Sequence, residues 1–127
     1  MSSNCSRFPT SIPRTVQARN KGSKRGPPLK NRLLPAPLTN WQSNDDGTIT
    51  THDLDWLTRC AAGGFSMVIT CAAHIHPHGQ AFPDQLDIHD DIHLPGMRRL
   101  ANTIRHHGGI SSVQLPGGGC WMLDVIL

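Results

Sequence analysis

The chain contains no tyrosine and no glutamate among its 127 residues, and aromatic residues make up only 5%. Without tyrosine there is no phenol to serve as a proton donor, and every acidic side chain is an aspartate. Apolar runs are short, and none approaches the ~18 residues needed to cross a bilayer. The cysteines (Cys5, Cys60, Cys71, Cys120) include no Cys-x-x-Cys pair and sit in no secretory context. They read as free thiols in a reducing compartment, here the cytoplasm. No Gly-x-Gly-x-x-Gly follows a strand pattern, and the run Gly117 to Gly119 lacks the required helix after it. Neither a P-loop nor a nucleophile elbow occurs.

What charge there is lies unevenly. Up to Asn44 the chain carries eight lysines and arginines and no acid, whereas from Asp45 onwards it carries four arginines and nine aspartates. The basic character is therefore a property of the amino-terminal stretch, and it gives no ground for a nucleic-acid partner. Met1 to Pro28, rich in Ser, Arg, Lys, Pro and Gly and without apolar periodicity, reads as a disordered basic tail (residues 1–28). Its composition overlaps with organelle transit peptides but lacks their amphipathic pattern.

The rest of the chain alternates between strand and helix patterns. Lys30-Asn31-Arg32 leads into a short apolar segment that ends in Pro35-Ala36-Pro37-Leu38-Thr39. Since proline cannot donate to a sheet ladder, the segment reads as a short buried strand stopping at Pro35 to Pro37. Thr50 or Thr51 offers an N-cap, Asp53 and Asp55 suit a first turn, and Leu54, Leu57 and Ala61 recur at helical spacing. Gly63-Gly64 is a stop signal, which gives a helix from about His52 to Ala62. Phe65 to Ala72 is a continuous apolar strand of the kind a parallel sheet buries on both faces. A His-rich loop follows from Ala73 to His93. Pro95 fits a first helical turn, Met97, Leu100, Ala101 and Ile104 form one apolar stripe, and Gly108-Gly109 closes the helix. Ile110 to Leu115 is then a third strand. This order predicts an α/β architecture of about three parallel strands with two helices.

Lys30-Asn31-Arg32, Pro37-Leu38-Thr39, Ala62-Gly63-Gly64-Phe65, Gly79-Gln80, Leu94-Pro95-Gly96 and Val113-Gln114-Leu115, in that order, resemble the old yellow enzyme family, the FMN-dependent NADH:flavin oxidoreductases and ene reductases. The resemblance spans Leu29 to Leu115 (a domain of residues 29–115), and the tail from Pro116 to Leu127 departs from the pattern (residues 116–127). It implies the amino-terminal portion of a TIM (β/α)8 barrel, incomplete because a whole barrel takes ~250 residues. It further implies FMN as cofactor, NADH or NADPH as reductant, and an activated alkene as small-molecule substrate. Thr39 would offer a hydroxyl to the flavin C4 carbonyl, Ala72 a backbone N–H at the ring edge, and Gln114 a carboxamide to the pyrimidine edge. Backbone groups of Pro37 and Leu38 complete the set. Each has a plainer reading: Thr39 capping its own loop, Ala72 as a small core residue, Gln114 as a surface or backbone-bonded amide.

No catalytic residue of the family maps onto this chain. Its substrate-anchoring His-His or His-Asn pair and its tyrosine proton donor lie beyond the matched span. The expectation is a fragment inactive by itself, with no membrane partner. The alternatives are a non-enzymatic interaction fragment associating with a full-length relative, or a metal-dependent hydrolase built on the His-rich loop. For the last, His74-x-His76-x-His78 shares one side of an extended segment, and His89 and His93 follow with Asp84, Asp87, Asp90 and Asp91 nearby. Pro77 and Gly79 argue for a turn there. Scattered surface histidines without a metal are the preferred reading.

Overall fold

Thr50 opens the first regular element. Its hydroxyl accepts from the Asp53 backbone N–H while the Asp53 carboxylate reaches back to the Thr50 N–H, a reciprocal capping box. The computed structural model describes residues 26–116 and 122–126. Within it, helix α1 spans Thr51–Ala62 and buries Leu54, Leu57, Cys60 and Ala61, leaving Trp56 exposed. Gly63 caps it, and Gly64, with φ of +102°, turns the chain out of the helix in a conformation that favours glycine. Strand β1 (Met67–Ala72) follows, then a long connection containing two single 3₁₀ turns, then helix α2 (Leu94–His106) with Pro95 in its first turn. The buried face of α2 is Met97, Leu100, Ala101 and Ile104, the stripe that the spacing predicts.

Strand β2 (Ile110–Pro116) pairs in parallel with β1, Met67 opposite Ile110 and Ile69 opposite Ser112. The register then slips, so that Ala72 stands opposite Gln114. Three residues of β1 advance against two of β2, which is a bulge. Its effect is visible in the core. Val68 packs towards the helices with Leu54, Leu57, Leu100 and Ile104, whereas beyond the bulge Cys71 and Ala73 pack with Leu86, Met97 and Val113. A regular strand keeps one parity on one face, and the bulge switches it. The Thr70 hydroxyl, fully buried, donates to the Cys71 carbonyl at 2.8 Å and accepts from the Gln114 N–H at 3.4 Å, supplying partners where the ladder is interrupted.

Two expectations are corrected here. The segment from Leu29 to Pro37 is not a strand: it bends at Lys30 to Arg32 and continues without regular structure, with Leu33 and Leu34 37% and 42% exposed. Its tie to the sheet runs through the Leu33 carbonyl, which accepts from both the backbone N–H and the hydroxyl of Ser66. Pro35 and Pro37 remove the donors a longer ladder needs. The third strand of the sheet is instead β3 (Met122–Ile126), which runs antiparallel along β2 with Val113 opposite Val125. The sheet therefore holds two parallel strands and one antiparallel strand, in the order β1-β2-β3. The basic tail up to Arg25 and the glycine run Gly117 to Gly119 lie outside the described residues. No helix among the described residues is long and apolar enough to cross a membrane.

Candidate functional site

The carboxyl-terminal ends of β1 and β2 bring two of the sequence-predicted residues together. Ala72 and Gln114 are register partners, and the next backbone N–H, that of Ala73, donates to the Gln114 carbonyl at 2.8 Å. Gln114 is 7% exposed although its side chain is a carboxamide. Its neighbours in sequence, Val113 and Leu115, pack in the helix-side core, which puts Gln114 on the opposite face of the sheet. That face is the interior side of a barrel built from such units. The carboxamide sets a donor and an acceptor side by side, the pattern that complements a planar heterocycle edge.

The loop carrying Pro37, Leu38 and Thr39 runs past the end of β1. Leu38 lines a small cleft together with Pro35, Ala36, Ile69, Thr70 and Cys71, so this loop and the β1 tip share one wall. Pro37 is half-buried, while Leu38 and Thr39 are exposed. The loop is moored just beyond them: the Asn40 side-chain amide donates to Asp53, whose carboxylate also accepts from the Ser43 hydroxyl at 3.3 Å. Asp53, only 2% exposed, thereby joins the capping box of α1 to the loop. Sequence reasoning assigns Asp53 to the helix dipole alone; its grip on Asn40, thirteen positions earlier, carries no local signal.

Further along, the His-rich connection folds back on the end of β1. His74 forms an isolated parallel bridge with Asp87, and Asp87 is only 3% exposed. Three imidazoles surround its carboxylate. His74 Nδ1 lies 3.3 Å from Oδ1, His93 Nε2 lies 3.4 Å from Oδ2, and His89 Nδ1 hydrogen-bonds Oδ2. Burial pushes the Asp87 pKa up, but the backbone N–H and ring of His89, with His74 and His93 adding charge, outweigh it and hold the carboxyl below its usual range. Gly47, at φ +75°, backs onto Asp87: a Cβ there would collide with the Asp87 Cβ, and the Gly47 carbonyl accepts from the Asp87 N–H at 3.0 Å. The reading of these histidines as scattered surface groups is corrected for His74 and His93, which are 6% and 3% exposed. His76 and His78 remain on the surface, in the turn that Pro77 and Gly79 predict.

Residues 25–124 match the NADH:flavin oxidoreductase / NADH oxidase family. The chain belongs to this family. The matched span runs past Leu115 into the segment that the sequence pattern sets apart. The chain is 42% identical over 96 residues to the Bacillus subtilis protein named "Probable NADH-dependent flavin oxidoreductase YqiG", covering 76% of this chain and 26% of that relative. It is 34% identical over 94 residues to the NADH:fumarate oxidoreductase of Klebsiella pneumoniae, covering 74% of this chain and 10% of the relative. Among solved structures, the old yellow enzyme from Trypanosoma cruzi superposes with a TM-score of 0.64 at 27% identity, covering 72% of this chain and 24% of that one. The two-helix α/β unit is thus a portion of an old yellow enzyme barrel. It spans about a quarter of the flavin oxidoreductase it resembles.

Proposed function

We propose that this chain forms the part of an FMN-dependent, NAD(P)H-consuming oxidoreductase that holds the pyrimidine edge of the flavin. When bound, FMN supplies the hydride-accepting and hydride-donating centre. The observation that carries the reading is the pairing of Ala72 with Gln114 at the ends of adjacent parallel strands, with the Gln114 amide buried on the face away from the helices. Gln114 would present its donor and acceptor to the N3–H and neighbouring carbonyl of the ring. Ala72, lacking a bulky side chain, would admit the ring edge close to the backbone. Pro37, Leu38 and Thr39 would close the same rim from the loop moored by Asn40, the Thr39 hydroxyl reaching the C4 carbonyl.

The substrate class we assign is a small activated alkene. Its anchoring and protonation, and binding of the nicotinamide, would fall to barrel elements other than those described, so the described unit by itself would bind flavin without turnover. Cys60 and Cys71 are buried free thiols, which fits a reducing compartment such as the cytoplasm.

The test is quenching of FMN fluorescence on titration with the full chain. Saturable quenching is expected, weakened about tenfold in Gln114→Leu, the equivalent of one hydrogen-bonded amide at ~1.4 kcal/mol. Absence of saturable quenching by the folded chain, or equal affinity in the variant, would overturn the assignment.

A further inference from the structure

We infer that His74, Asp87 and His89, with the buried His93 ring against Asp87, form a binding site for one divalent first-row metal ion of the zinc class. Ligand atoms of His74, Asp87 and His89 all lie within 4.8 Å of one another. The separations of 3.3 Å from His74 Nδ1 and 3.4 Å from His93 Nε2 to the Asp87 oxygens are informative. Bonds of ~2.0–2.2 Å around a tetrahedral ion place neighbouring ligand atoms roughly 3.3–3.5 Å apart. Two imidazole nitrogens and a carboxylate are a donor set that zinc accepts.

A second, independent observation points the same way. His93 is 3% exposed, and among the described residues neither of its ring nitrogens has a hydrogen-bond partner. A buried imidazole left so is costly, and one nitrogen is aimed at the cluster. A cation held between His93 and Asp87 would satisfy it. His74 Nδ1 faces two oxygens, Asp87 Oδ1 and the His76 carbonyl at 3.1 Å, a setting that calls for a proton or a metal on that nitrogen. His89, with a third of its side chain exposed, gives the ion its way in.

Three protein ligands converge within 4.8 Å, and the buried His93 ring stands against the Asp87 side of that shell. The ion would clip the connection from Ala73 to His93 onto the tip of β1. This inference does not depend on flavin binding.

The experiment uses the full chain without an affinity tag and cobalt(II) as the probe, because tetrahedral cobalt reports its ligands through intense visible bands. One equivalent of cobalt per chain with such bands is expected, displaced by zinc. His89→Ala, a change at an exposed ring, should lose the bands and weaken cobalt binding by about 100-fold or more while keeping the far-ultraviolet circular dichroism of the parent. Asp87→Asn should lose the bands as well. The double variant His106→Ala/His107→Ala, on the far end of α2, should retain them. Sub-stoichiometric binding, only the weak bands of an octahedral ion, or bands that survive His89→Ala would overturn the site.

Discussion

Cys71 lies against Leu86, Met97 and Val113, and burial pushes its thiol pKa up to about 11, with the negative charge of Asp53 adding to the effect. The thiol is held neutral. Cys60 is raised in the same direction by burial. Both thiols should therefore resist iodoacetamide at pH 8 in the folded chain and react once denaturant is added, as mass spectrometry of peptides would show. A thiol whose pKa is higher folded than unfolded costs nothing below its unfolded value, and stability falls as pH rises from there towards the folded value. Urea midpoints should drop between about pH 9 and 11, by up to ~2–3 kcal/mol for Cys71, and Cys71→Ser should flatten that part of the profile. At Gly47 the demand is steric and conformational together. Gly47→Ala puts a methyl against the Asp87 Cβ at a φ of +75°, and should cost about 2–4 kcal/mol in chemical denaturation.

At the scale of the element, α1 is held at its start by more than its own turn. Asp53→Ala removes the capping box together with the acceptor for Asn40 and Ser43, and should destabilise the fold by about 2–4 kcal/mol. Asn40→Ala, which leaves the cap intact, should cost only about 1 kcal/mol. Both helices were legible in the sequence because capping residues, glycine stops and a 3.6-residue apolar stripe agree on one answer. Leu100 and Ile104 lie where the stripe puts them. The segment before Pro35 was not legible. A short apolar run bounded by prolines has the composition of a strand, and only the missing partner shows that it is irregular chain. The bulge in β1 was equally hidden, since Ile69-Thr70-Cys71 is uniformly strand-like and the slip is set by pairing with β2. The meeting of Ala72 and Gln114 follows from two successive strands pairing in parallel, which the strand–helix–strand order predicts. The gathering of His74 and His93 around Asp87 could not be read in this way, because it arises from a connection folding back on itself, where no periodicity applies.

For the whole molecule, the order β1-β2-β3 leaves β1 at one border of the sheet. Among the described residues, its neighbour there is the Leu33 backbone, joined at Ser66. In a closed barrel that border is covered along its length by the preceding strand. Unpaired strand groups recruit other chains. Sedimentation velocity of the full chain should therefore show association that grows with protein concentration; a single monomeric boundary across the range would contradict this.

The half-turn introduced inside β1 also sets how this strand can change over time. Substituting one apolar residue for another around Thr70 alters the fit of a wall. Deleting a single residue there would do something different in kind: it would remove the bulge and leave an unbroken alternation in which Val68, Cys71 and Ala73 still face the helices. What the extra residue contributes is thus a buried hydroxyl, that of Thr70, which serves the Cys71 carbonyl and the Gln114 N–H, and not the choice of face.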